Sequence, residues 1–277
     1  GRGGGTGGGG SWEGKAGRFA VAANALNNAC TCDSCEARGF VPAMFDRLRK
    51  ALAPSGGPVT TKEVARWAAS QQLAIVPQAA EGHFDLGGDI AGHPWRLECG
   101  APTREYVRGL ELRGRADVGA DPDAAVMVIN RSLHEALESN AYHAITDTLQ
   151  TTVNASLPEE MRWLAMFEEV SWPGLPASFR QHFAVVAERI EIAQRWIHAP
   201  LVSQLLNFLE GEHSAARAQS PLVLMLVRGR VYLRMEHTQR SLPEIVHATQ
   251  LLLVGARAAL QNLPPMSVAG PEDGPAH

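Results

Sequence analysis

An α+β fold, with an antiparallel sheet of about four to six strands packed against several helices, follows from three features of this sequence of 277 residues. Apolar and polar residues alternate with period two on either side of glycine-containing turns, around 92 and again around 229. Between and after these stretches the apolar residues recur at three- and four-residue intervals, the spacing of a helix with one buried face. The composition, 45% hydrophobic and 19% charged, is that of a globular chain able to bury a substantial core.

The elements are read in chain order. Residues 1–14 are glycine-rich and expected to form a flexible tail. Residues 15–80 read as a small helical N-terminal unit, with helices at Phe19–Ala29 and Val41–Leu52. A third helix follows Thr60, where Thr60 and Glu63 have the spacing of a capping box. Residues 81–263 form the expected main α+β domain, and 264–277 a second tail. Its first strands lie at Phe84–Ile90 and Trp95–Cys99, with a turn expected at Gly92-His93-Pro94. Leu110–Val118 alternates, and Ala125–Ile129 reads as a buried strand.

Helices follow, the first with Leu133, Leu137, Ala141, Ile145 and Leu149 on one stripe. Ser132 with Glu135, and Ser156 with Glu159, have capping-box spacing. Phe179, Phe183, Val186, Ile190 and Trp196 read as a single long helix, interrupted at Pro200. The chain closes with a β-β-α unit: Val223–Val227, a tip at Arg228-Gly229, Val231–Met235, and a helix opened by Ser241 and Glu244 and ending near Leu263. The segments 110–149 and 222–263 echo one another and read as a β-β-α pseudo-repeat.

The net charge of −4 gives no whole-chain attraction to nucleic acid or to an anionic membrane. No apolar run reaches the roughly 18–20 residues needed to span a bilayer, so a cytoplasmic chain is expected. Chemistry-bearing motifs fail on inspection. Glycines 3, 5 and 8 match a dinucleotide fingerprint, and Gly9 with Gly14-Lys15 a phosphate loop, but no strand precedes them and Ala16 stands where a magnesium-binding hydroxyl is needed. His134-Glu135 lacks the second histidine of a zinc protease, because Glu138 stands in its place. The carboxylate pairs Glu159-Glu160 and Glu168-Glu169 are expected on solvent faces.

Three sets of residues remain. Cys30, Cys32 and Cys35 are close enough to share a zinc ion, although three ligands without a second knuckle fall short of a structural site. Between Lys15 and Arg66 eight basic residues face four acidic ones, a balance that would suit a DNA-binding regulator, but no recognition helix is evident. The third set lies on the polar parity of the strands: Arg96, Arg113, Arg115, Arg230, Tyr232 and Arg234. Charges on such a face usually pair across strands. Arginines with a tyrosine among them also make a surface for a carboxylate, a phosphate or an acidic peptide.

In outline, strands packed on helices with a closing β-β-α unit resemble secretion-chaperone-like α+β folds, and no motif carries a residue across from them. The expected function is therefore a non-catalytic binding or protein-interaction module whose partner is a protein or a small anionic ligand. A zinc protein or enzyme using the cysteine cluster or a sheet–helix pocket is the first alternative, and a DNA-binding regulator the second. No cofactor other than that zinc is expected, and no membrane partner.

Overall fold

The computed structural model describes residues 58–147, 158–210, 214–238 and 240–263, all within the second of two compact units, Pro54–His277. The expected helices at Phe19–Ala29 and Val41–Leu52, and both tails, lie outside these residues.

The described chain runs α1 (Thr61–Ser70), β1 (Ala74–Pro77), β2 (Phe84–Ile90), β3 (His93–Gly100), β4 (Glu111–Asp117), β5 (Ala125–Asn130), α2 (Arg131–Asp147), α3 (Glu159–Met166), α4 (Ala177–His182), β6 (Phe183–Ala187), α5 (Ile190–Trp196), α6 (Ala199–Asn207), α7 (Ser214–Gln219), β7 (Leu222–Val227), β8 (Arg230–Glu236) and α8 (Leu242–Asn262). The α+β class holds, but the sheet is larger than expected. It is one open antiparallel sheet of eight strands in the order β1-β2-β3-β4-β8-β7-β5-β6.

Two strands account for most of the difference. Phe183–Ala187 is β6, not the middle of a long helix, and it separates α4 from α5. All five of its residues are buried, so no polar position marks the period-two rhythm, and Phe179, Phe183 and Ile190 imitate a helical stripe. Ala74–Pro77 is the short edge strand β1, paired with β2. The helix before it, α1, does form the expected capping box: the Glu63 amide donates to Thr60 Oγ1 at 3.3 Å and the Thr60 amide to Glu63 Oε2 at 2.8 Å. Val64 and Ala68 of α1 lie in the same core as the sheet.

The hairpin turns are two residues long. Ile90 pairs with His93 across Ala91-Gly92, both at positive φ (54° and 82°), so the turn sits one step earlier than Gly92-His93-Pro94. Arg228-Gly229 forms the other tip as expected, again with both φ positive. That tip explains the strand order. β4 and β5 do not pair; the β7–β8 hairpin inserts between them, and the amides of Val118 and Gly119 both donate to the Gly229 carbonyl at 3.0 Å. The expected pseudo-repeat therefore lacks its first strand pair, and its two helices serve different faces of the sheet. Leu252 of α8 packs on one face, Leu133 and Leu137 of α2 on the other.

The other expected capping boxes do not form: Ser132 lies inside α2, Ser241 stands at the N-cap of α8 without a side-chain capping bond, and Ser156 lies outside the described residues. The Ser132 hydroxyl donates to the Ala218 carbonyl and accepts from Asn130, whose carboxamide oxygen in turn accepts from the Leu222 amide at 2.9 Å. Glu244 accepts from His237 Nδ1 at 2.7 Å in a buried pair that ties the end of β8 to the start of α8.

The larger core lies between one sheet face and the helices α1, α4, α5, α6 and α8. Gly114 lets α8 approach: a β-carbon there would lie 2.9 Å from Leu252 Cδ2 and 3.0 Å from Leu233 Cβ. The smaller core lies on the other face, under α2 and α3, and among the described residues it covers β5, β6 and β7 and reaches Tyr232 of β8. Among the described residues no helix is long and apolar enough to cross a membrane.

Candidate functional site

The half-covered face carries the site. Cross-strand register follows it residue by residue from β1 to β6. One row reads Val76, Asp85, Glu98, Arg113, Arg234, Val223, Ile129, Ala184. The next reads Ala74, Gly87, Arg96, Arg115, Tyr232, Met225, Met127, Val186. Each row turns from polar to apolar between β8 and β7, where helix cover begins. Strands with one wet face alternate, whereas β7, buried on both, is apolar at every position.

All six arginine and tyrosine residues singled out in the sequence fall on this face, and the structure divides them in two. Arg113 and Arg234 belong to an internal ion network at the end of the sheet where residues 101–110 cross it. Arg234 Nη1 lies 2.6 Å from Glu111 Oε1, and its Nε lies 3.1 Å from Glu160 Oε1. Arg104 Nε also reaches Glu160, at 3.0 Å, and Arg113 meets Glu98 at 3.2 Å and Glu111 at 3.3 Å. Thr103 adds its amide to Glu111 Oε2 at 2.7 Å. Glu111 and Glu160 are fully buried, so Glu160 does not decorate a solvent face as its position beside Glu159 implied; it fastens α3 to β8 and to the crossing segment. Glu168 and Glu169 are exposed as expected, and Glu169 accepts two hydrogen bonds from Arg131 there, at 2.9 and 2.8 Å.

Electrostatics make this network structural. Burial raises the Glu111 carboxyl, but the Thr103 amide and the Arg234 guanidinium outweigh it and hold the group below its ordinary range. Glu111 is ionised at neutral pH and is not a general acid. Burial, reinforced by the charge of Glu160, pushes the Tyr106 phenol far above its usual value. A buried network of this kind fixes geometry, and breaking it costs more than forming it yields.

Arg96, Arg115 and Arg230 form the second group, with side chains 65%, 49% and 41% exposed, against 26% for Arg113 and 23% for Arg234. Their carboxylate partners lie in the same surface. Arg96 pairs with Glu98, and Asp117 is shared by Arg115 at 3.1 Å and Arg230 at 2.5 Å. Burial raises the Asp117 carboxyl, and the bonds and charges of Arg115 and Arg230 together more than reverse this, so it is held low and ionised. Arg96 and Arg115 are direct partners across β3 and β4. Like charges placed opposite one another destabilise a sheet. Tyr232 is the next residue in that row, half-buried against the smaller core. On the far side the row drops to Gly87 and Ala74, and Val76, 58% exposed, lies on the same face.

The sequence pointed to the arginines through their parity. It gave no sign that Glu160 or Thr103 reach them, because those contacts join segments up to 131 positions apart. Cys30, Cys32 and Cys35 lie outside the described residues, as does most of the basic stretch from Lys15 to Arg66. Among the described residues no group of three histidine, cysteine or acidic side chains is placed to hold a metal ion. A cavity of about 220 Å³ opens elsewhere, lined by Asp121, Ala124, Arg189, Ile192, Arg195 and Leu263 among others, with no hydroxyl, thiol or imidazole in its wall.

No family model matches this chain, and no curated protein does. Among solved structures it is similar to the mycobacterial trehalose monomycolate transport factor A, TtfA, with a TM-score of 0.40 and 9% identity over 73% of this chain and 94% of that one. A likeness at that level carries no statement about fold or function.

Proposed function

We propose that this protein is a non-catalytic interaction module of the cytoplasm that receives an anionic partner on the half of its sheet that no described helix covers, through Arg96, Arg115, Arg230 and Tyr232. The observation that carries the reading is the opposition of Arg96 and Arg115, both exposed. Arg113 and Arg234 are opposed in the same way but are engaged by buried carboxylates, whereas Arg96 and Arg115 stay exposed. Exposed arginine beside tyrosine is the composition of a protein-binding surface. Because Arg113 and Arg234 are engaged internally, they position the strands beneath the surface and do not meet the partner.

The test is affinity capture with the full chain and with an Arg96→Glu/Arg115→Glu variant, compared at physiological salt. Partners retained by the wild type and lost by the variant support the reading. An identical captured set would remove it.

A further inference from the structure

We infer that the junction of α6, α7 and α8 is an acid-released clasp: a proton taken up at His247 drives α7 and the end of α6 away from α8 and bares the ring of Phe208. The helices α6 and α8 pack on the opposite face of the sheet from the exposed arginines. The His247 ring, on α8, stacks on Phe208, just past α6, with centroids 4.8 Å apart and planes 23° apart. Phe208 is buried. Arg217 of α7 lies over the same phenyl ring, 5.9 Å from its centroid, and donates to the carbonyls of Phe208 at 3.3 Å and Glu210 at 2.9 Å. One phenyl ring thus joins α6, α7 and α8.

The polar contacts of the imidazole suit its neutral form. Gln204 Nε2 donates to His247 Nδ1 at 3.2 Å and to Gln250 Oε1 at 3.3 Å. Nδ1 therefore accepts, and the ring proton sits on Nε2, an atom buried without a hydrogen-bond partner. A second proton, on Nδ1, would face the amide donor of Gln204, and turning that amide over costs its bond to Gln250. Charge acts in the same direction. Around the ring α6 presents Gln204, α7 presents Arg217 and α8 itself Gln250, and among the described residues the charge acting on the ring is that of Arg217. Glu244, one turn back on α8, is held by His237. Burial, and behind it the positive charge of Arg217, push the imidazole down to about 3.

The element that yields is α7. It is six residues long and buries none of them. Its ties are polar: the two bonds of Arg217, and those from Asn130 and Ser132 to the Ala218 carbonyl. Segments with so little apolar burial open before the core does. Once the clasp opens and the ring meets water, His247 titrates at about 6.5. Below that value proton uptake favours the open form; above it the closed form keeps its full stability.

The experiment is amide hydrogen exchange on the full chain, corrected for intrinsic rates, at about pH 7 and about pH 4.5, with wild type and His247→Gln. Opening of the α7 amides is expected to rise about 75-fold in the wild type between these values, and to stay nearly constant in the variant. The ring nitrogen chemical shifts of wild-type His247 give a readout that does not depend on the variant's folding: the closed protein keeps a neutral ring, protonated on Nε2, at about pH 4.5. A His247 that titrates near 6.5 in the folded protein overturns the inference. So does an unchanged wild type, an equal rise in His247→Gln, or a wild-type rise shared equally by the amides of β7 and β8, which is global unfolding.

Discussion

Arg96 and Arg115 face each other across a hydrogen-bonded strand pair, each leaning on a carboxylate two residues along its own strand, Glu98 and Asp117. The arrangement leaves two like charges side by side on an exposed part of the sheet, whereas the equally opposed Arg113 and Arg234 are both held by the buried Glu111.

Replacing Arg115 with glutamine should therefore cost little. Exposed ion pairs contribute about 0–1 kcal/mol, and relief of the opposing charge offsets part of that, so urea denaturation should place the variant within about 0.5 kcal/mol of the wild type. Partner capture should fall in the same variant. A large loss of stability would make Arg115 a structural residue.

Glu111 should behave in the opposite way. Glu111→Gln removes a charge from the buried network and is expected to cost about 3 kcal/mol by urea denaturation, with little direct effect on the exposed arginines. The pH dependence follows from the direction of its shift. Its folded-state carboxyl titrates below the unfolded one, so its contribution is complete above the unfolded value, about 4.3, and is lost as pH falls through the folded value. Wild-type stability should decline in that acid window, and Glu111→Gln should flatten the decline. Equal acid slopes in the two proteins would contradict the assignment.

Gly114 should tolerate no side chain. Valine there meets Leu252 and Leu233 at the closest approach of α8 to the sheet, and overpacking of this kind costs about 1–3 kcal/mol. Adding Leu252→Ala should recover part of the loss, a coupling that a double-mutant cycle reads directly. Simple additivity would place the strain elsewhere.

Cys99 should be inert in the native protein. It lies buried under α8, and burial pushes its thiol up to about 12, against the smaller opposing pull of Arg113. Thiolate is the reactive form, so in a Cys30→Ser/Cys32→Ser/Cys35→Ser background, maleimide at neutral pH should label Cys99 only after denaturant is added. Rapid native labelling would contradict the packing described.

How much of this was legible in the sequence depended on solvent. β2, β3, β4 and β8 each keep one face wet or half-wet, so their alternation was visible and their arginines could be assigned to one side. β6 is buried on both faces and imitated a helix, and β1 is four residues ending in proline, too short to show a period. Capping boxes were over-read because serine and glutamate at helix starts also serve distant partners: Ser132 reaches Ala218, and Glu244 reaches His237. The insertion of the β7–β8 hairpin between β4 and β5 is a long-range pairing with no local signature. For the same reason Glu160 looked like a solvent-facing residue until the fold brought Arg104 and Arg234 to it.

The division of the arginines into exposed and engaged sets is the centre of the account, and arginine-selective labelling with phenylglyoxal, read by mass spectrometry with and without a captured partner, tests it most directly. Arg96, Arg115 and Arg230 should react in the free protein and be protected in the complex, while Arg113 and Arg234 stay largely unmodified in both. Equal labelling of the first three with and without partner, or ready modification of Arg234 in the free protein, would contradict it.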